Sequence, residues 1–268
     1  MNKRRAVKAT KKISARIFSG LVFAFLYLPI AIVVLFSFNI SKRNILFEGF
    51  TLDWYSVMAQ NDALLQAFAN TLIVASCSTL IATMIGTLTA VGMFRYKFRG
   101  KGVIDALLYI PVVIPEIVLG IALLSVFSLC SIPLGLISMI IAHVTFSIPF
   151  VVFTVRARLS GYDRSVEEAA MDLGANRKKV FFHITVPILL PGILSGAILA
   201  FTLSIDDIII SFFTTGATST TFPLKVLELV RSGVSPDVYA LSTLIILVTF
   251  TIVVVSQTFA YKRNKKES

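Results

Sequence analysis

Charged residues along this chain are confined almost entirely to the gaps between six apolar runs, at about 17–38, 68–94, 103–129, 134–155, 188–213 and 239–261. Each run reaches the length of about 20 residues that an α-helix needs to cross roughly 30 Å of hydrocarbon. The pattern predicts an all-α protein of six transmembrane helices. The gaps differ in character. The segment 39–67 carries the sole tryptophan, in Asp53-Trp54-Tyr55, and reads as an interfacial anchor or a short helix lying on the membrane. The uncharged turn Cys130-Ser131-Ile132-Pro133 joins the third and fourth runs into a helical hairpin. The segment 214–238 is punctuated by Gly216, Pro223, Gly233 and Pro236 into short pieces. No internal repeat divides the chain, so it reads as one domain: a basic segment 1–16, a six-helix body 17–261 and a basic tail 262–268.

Composition agrees with this pattern. A chain of 268 residues that is 56% hydrophobic and 15% charged has more apolar surface than one soluble core hides. A net charge of +11 first suggests nucleic acid as a partner. The placement of the charge argues otherwise, because 21 of the 25 lysines and arginines fall on one side of a six-span arrangement. Only Lys42, Arg43, Lys225 and Arg231 fall on the other. By the positive-inside rule both termini are expected in the cytoplasm, and the charge is an orientation signal. The basic N-terminus followed by an apolar run resembles a signal peptide, but the run is too long and Asn39-Ile40-Ser41-Lys42 offers no small-residue cleavage site. The first helix is expected to stay. Cys77 and Cys130 are the only cysteines, and neither a disulfide nor a metal site is expected from them.

One gap, about 156–187, carries a denser pattern. Ser165 and Glu168 have the spacing of a capping box at a helix start. Val166, Ala169, Ala170 and Leu173 then recur at i, i+3, i+4 and i+7, an apolar face on a short helix, and Gly174 stands where a left-handed terminator is wanted. A helix of two turns is marginal in water and must dock on something. The local pattern leaves two hosts open, the protein's own bundle or a partner.

The spacing of Glu168-Ala169-Ala170, Gly174, Ile184 and Val186-Pro187 resembles the EAA loop of permease subunits of bacterial ATP-binding cassette importers, which more often have leucine where this chain has Val186. Phe201-Thr202-Leu203-Ser204-Ile205-Asp206-Asp207, Phe222-Pro223-Leu224-Lys225, Val234-Ser235-Pro236-Asp237 and the stretch from Phe94 to Lys101 extend the resemblance to C-type permeases of spermidine/putrescine importers. The resemblance implies the type I importer permease (MetI-like) fold in a bacterial plasma membrane. It also implies a coupling helix seated on a cytoplasmic ATPase, with Glu168 making polar contacts, Ala169 and Ala170 allowing close fit, Gly174 permitting the turn, Ile184 completing the motif and Pro187 setting the start of the fifth span. Implied partners are an ABC ATPase dimer, a second six-helix permease, an extracytoplasmic polyamine-binding protein, the polyamine itself and membrane lipid. No nucleotide-binding glycine loop ending in Lys-Ser/Thr occurs in the chain, so it is expected to be non-catalytic and to need no cofactor. Two other readings stay open: an importer of another solute such as ferric iron or thiamine, and a membrane scaffold that docks a partner without transport.

A polycation path needs carboxylates, and carboxylates inside a bilayer are functional candidates by default. Three lie well inside the apolar runs, away from their ends: Glu116, Asp206 and Asp207. On continuous helices Glu116 would lie about 20 Å along the third span, and the two aspartates about 27–29 Å along the fifth. Neighbours on a helix point about 100° apart, so only one aspartate faces a given path. Ser204, Asp207 and Ser211 share a face, which assigns Asp207 to the path and Asp206 to pairing with a neighbour. A structural role for both, and for Glu116 at a kink made by Pro111 and Pro115, stays open. His143 is expected to be hydrogen-bonded in a helix interface.

Overall fold

The structure is a computed structural model that describes residues 2–42, 46–232 and 235–267, with side chains for 14–42, 46–230 and 235–251. The basic residues before Ser14 and those of the tail, read above as orientation signals, lie outside the described side chains, as do 252–261 of the sixth run. The described residues form helices: α1 Asn2–Phe36, α2 Asp53–Gln60, α3 Asp62–Arg95, α4 Lys101–Val113, α5 Glu116–Leu129, α6 Leu136–Leu159, α7 Ser165–Asp172, α8 Arg177–Val180, a π-helical segment Phe181–Thr185, α9 Val186–Ile205, α10 Ile209–Thr214, α11 Phe222–Ser232 and α12 Pro236–Glu267. Among the described residues, four stretches are long and apolar enough to cross a membrane: Ser14–Phe36, Asp62–Arg95, Leu136–Leu159 and Arg177–Ile205. The pair α4 and α5 makes a fifth only as a bent span, and α12 contributes a shorter apolar stretch, Pro236–Thr251.

Two expected spans are not continuous. The third breaks by 115° between α4 and α5. Pro115 has no N–H to donate and disfavours helical backbone in the residue before it, and Ile114 is accordingly extended, with φ −72° and ψ 137°. The fifth stops at Ile205 and restarts at Ile209. It also begins earlier than expected, because α8, the π segment and α9 run on from Arg177; Pro187 sits in the first turn of α9 rather than opening the span.

The chain forms two compact units, Met1–Leu65 with Glu228–Ser268, and Gln66–Leu227. In the first, α1 and α2 pack on α12. The loop after α1 is organised by the buried Asn39, whose Nδ2 donates to the Leu46 carbonyl at 2.8 Å and whose Oδ1 accepts from the Glu48 N–H at 2.8 Å. Trp54 Nε1 donates to the Asn39 carbonyl at 2.6 Å, so the tryptophan of the expected short helix is tied into its own loop. Asn61 donates to Asp237 at 2.6 Å, joining the end of α2 to the start of α12.

In the second unit α6 packs along α9. Val151, Val152, Val155 and Leu159 of α6 meet Leu189 and Ala200 of α9, with Ala90, Val91 and Met93 of α3 and Leu108 of α4 closing the cluster. The close approach depends on Gly196: a Cβ there would stand 2.5 Å from Thr154 Oγ1 and 3.2 Å from the Val151 Cα. A second cluster gathers Phe127 of α5, Ala142 and Phe146 of α6 and Ile210 of α10. The turn between α5 and α6 closes with Ser131 in the left-handed region, at φ 54°.

Gly196→Ala is expected to loosen the α6–α9 seam by about 1–3 kcal/mol, as overpacking does. Thermal unfolding in detergent should show a lowered midpoint, whereas Gly102→Ala, with nothing within 4 Å of its Cβ, should leave it in place.

Candidate functional site

The loop between α6 and α8 holds the motif residues, and its local structure follows from three side chains. Asp163 Oδ1 accepts from the Ser165 N–H at 2.9 Å and its Oδ2 from the Ser165 hydroxyl at 2.7 Å. Those bonds hold the Asp163 carboxyl below its usual range, the backbone bond most of all. They also replace the expected capping box: with Ser165 turned to Asp163, Glu168 has no reciprocal partner there, and α7 starts without a side-chain cap. At the other end Gly174 is left-handed, at φ +88°. Its N–H donates to the Met171 carbonyl at 2.9 Å and that of Ala175 to the Ala170 carbonyl at 3.0 Å, the nested pair of a Schellman ending.

Of the two hosts left open for the apolar face, the protein's own unit is not one. Val166 is 47% exposed and Leu173 90% exposed, and Glu168 and Ala169 are exposed beside them. The single buried residue of α7 is instead Glu167. Its Oε1 accepts from Thr185 Oγ1 at 2.6 Å, from the Tyr162 hydroxyl at 2.7 Å and from Arg95 Nη2. Arg95 Nη2 also donates to Thr185 Oγ1 at 2.6 Å, and the guanidinium lies 5.9 Å from the Phe181 ring centre. Burial alone would push the Glu167 carboxyl up, but the bonds from Thr185, Tyr162 and Arg95, with the arginine charge, outweigh it and hold it below the usual range. Burial, and then Glu167, push the Tyr162 phenol up to about 12, so it remains a donor at any physiological pH.

Sequence reasoning missed Glu167, Arg95, Tyr162 and Thr185. Arg95 and its basic neighbours read as an orientation signal, and Glu167 was overshadowed by the adjacent motif residue. The available signal was rotational: on α7 Glu167 points about 100° away from Glu168. Ile184 is half-buried within the π segment and Pro187 is exposed.

The intramembrane candidates are placed differently from their expectation. Asp207 lies in the break between α9 and α10, where its carboxylate accepts from the N–H groups of Ile210 at 3.2 Å and Ser211 at 2.7 Å. A carboxylate that takes backbone donors competes with the helix ladder, which is why the helix restarts here. Asp207 Oδ2 also lies 3.4 Å from His143 Nε2, and its side chain is 5% exposed. His143 Nδ1 contacts Ser204 Oγ at 2.6 Å, its Nε2 contacts Ser211 Oγ at 3.1 Å, and Ser204 reaches Ser78 of α3 at 3.1 Å. The polar stripe Ser204, Asp207 and Ser211 is thus real, but it closes on His143 instead of lining an open path. Asp206 is the exposed member of the pair, the reverse of the expected placement. Glu116 is exposed in the first turn of α5, directly after the break at Pro115.

Residues 82–266 match the family of binding-protein-dependent transport system inner membrane components. A spermidine/putrescine transport system permease protein, PotC, of Escherichia coli strain K12 is 43% identical over 248 residues, covering 92% of this chain and 94% of its own. PotC of Haemophilus influenzae is 40% identical over 92% of this chain and 96% of its own. The putrescine transport system permease protein PotI of Escherichia coli is 40% identical over 84% of this chain and 82% of its own. Among solved structures, a bacterial ABC transporter involved in import of the acidic polysaccharide alginate superposes with TM-score 0.72 at 14% identity, over 95% of this chain and 97% of that one. The MetNI methionine ABC transporter superposes with TM-score 0.54 at 17% identity, over 80% and 97%.

Protonation of Glu167 should release α7. Because its folded-state pKa lies below the ordinary value of about 4.3, the tether is fully present above that value and is lost as pH falls through the folded one. Protection against hydrogen exchange over residues 165–172, taken relative to the intrinsic rate at each pH, should therefore fall at acid pH, and Glu167→Gln should remove that fall.

Proposed function

The chain belongs to the binding-protein-dependent transport system inner membrane component family, and from that premise we propose that it forms half of the translocation path of an ATP-driven polyamine importer. In this reading it carries no ATPase activity of its own; a cytoplasmic ABC ATPase dimer supplies the energy, a second six-helix permease supplies the other half of the path, and an extracytoplasmic binding protein delivers spermidine or putrescine. Both termini then lie in the cytoplasm, as the distribution of basic residues suggests.

The observation that carries the coupling role is the outward apolar face of α7. A two-turn helix with Leu173 at 90% exposure would be marginal alone and gains from a groove that buries it. Glu168 supplies a polar contact at that surface, Ala169 and Ala170 permit close approach, and Gly174 makes the sharp exit. Ile184 and Pro187 belong to the helical rod that leads from the docking site into the membrane. The substrate class rests on the PotC and PotI relatives, which share it by name across most of this chain.

In the path we place Glu116 and Asp206, the exposed carboxylates at the two helix breaks, as sites for a polyamine ammonium group. Asp207, Ser204 and Ser211 hold the break that presents Asp206.

Two outcomes are expected in proteoliposomes containing the complete complex. Asp206→Asn should lower ATP-dependent uptake of labelled spermidine and putrescine about tenfold, on the order of one lost charge-assisted contact, with subunits still co-purifying. Uptake at the wild-type level would remove Asp206 from the path. Gly174→Val forces a β-branched residue into left-handed backbone at a cost of about 1–2 kcal/mol. It should reduce uptake by impairing the α7 exit; unimpaired uptake and ATPase stimulation would remove Gly174 from coupling.

A further inference from the structure

We propose that Glu167, Arg95, Tyr162 and Thr185 form a latch that transmits displacement of α7 to α3 and α9. The inference rests on the coupling role proposed for α7 and goes beyond it by naming the residues through which the movement passes.

The first argument is mechanical. Glu167 is the only buried residue of α7. Without it the helix would be connected to the rest of its unit mainly through the chain at its two ends, and a push on Val166 or Leu173 would be absorbed by turns. With it, one carboxylate oxygen gathers donors from three places: Arg95 at the last residue of α3, Thr185 at the end of the π segment, and Tyr162 after α6.

The second argument is electrostatic. The Glu167 and Arg95 side chains are 6% and 16% exposed, so water screens their attraction poorly. Arg95 also donates to Thr185, which closes a ring of hydrogen bonds among α3, α7 and the base of α9. Members of such a ring shift together, since moving one without the others leaves a buried charge unpaired.

The third argument concerns the receiving end. Thr185 closes the π-helical turn that leads directly into α9, and its hydroxyl also lies 3.5 Å from the Val180 carbonyl across that turn. A π turn has a looser backbone ladder than the α-helix around it and is a place where a rod can rotate or shift register. Beyond it, α9 continues to the break at Asp206.

Glu167→Gln keeps the side-chain shape and loses the charge. In proteoliposomes of the complete complex, moles of spermidine imported per ATP hydrolysed should fall about tenfold, within the span of energetic couplings carried by side-chain networks, while ATP hydrolysis persists. Arg95→Gln should do the same, and the double variant should be no worse than the poorer single one, because both remove one interaction. An unchanged uptake-to-ATP ratio in Glu167→Gln, or effects that multiply in the double variant, would overturn the latch. If Glu167→Gln does not co-purify with its partners, Tyr162→Phe, which deletes one donor to Glu167, and Thr185→Val, which deletes another together with the acceptor for Arg95, decide the matter: a lowered ratio in both supports the latch and a wild-type ratio in both overturns it. If the wild-type complex itself shows no ATP-dependent uptake, it is the transport reading that fails.

Discussion

Inside hydrocarbon, a backbone N–H or C=O has no water to turn to, so each interruption of a helix must be closed by some other group. That constraint organises this protein. The break before α10 is closed by the Asp207 carboxylate, which takes the N–H groups of Ile210 and Ser211 and is itself held by His143. The break at Pro115 leaves no N–H on the proline to satisfy, and the N–H of Ile114 still reaches the Ile110 carbonyl at 3.0 Å. Outside the apolar stretches, Gly174 closes α7 by allowing the two nested bonds of a Schellman turn. Polar and special residues therefore sit where the regular ladder stops.

Those same places hold the carboxylates proposed for the path. A straight helix would bury a carboxylate against its own turns or present it to lipid, whereas a break frees the side chain at a helix end. Glu116 and Asp206 are both exposed beside such breaks. Their neighbours take the structural part: Asp207, Ser204 and Ser211 are gathered on His143, and Ser78 ties that group to α3. One aspartate is thus consumed in holding the shape that leaves the other accessible.

At the loop, the division of labour runs around a two-turn helix. Adjacent glutamates point in directions about 100° apart. Glu167 turns into the unit and gathers Arg95, Tyr162 and Thr185, while Glu168 turns outward with Ala169 and Val166. The inward side carries the buried carboxylate, and the outward side sets the apolar Val166 and Ala169 beside the exposed Glu168. In the coupling role proposed for α7, that outward surface is the one a partner would cover, and the inward charge network holds the helix to the rest of its unit.

Some of this was legible before any coordinates. The all-α class follows from apolar runs of bilayer length, and the position of α7 from the spacing of Val166, Ala169, Ala170 and Gly174, because helical periodicity and left-handed termination are local properties. The family follows from the EAA spacing through Pro187. The face that α7 turns inward was not legible, since Glu167 and Glu168 are identical in type and only Arg95, about 70 residues earlier, and Thr185 distinguish them. The continuity of the third and fifth spans was misjudged for the same reason: hydropathy averages across Pro115 and Asp207, while the break depends on which backbone groups find partners. Sequence by itself determined the all-α class, the bilayer as solvent and the position of α7, all set by composition and short-range spacing. Tertiary structure alone decided which carboxylates are paired and which remain exposed, because pairing depends on distances between residues far apart in the chain.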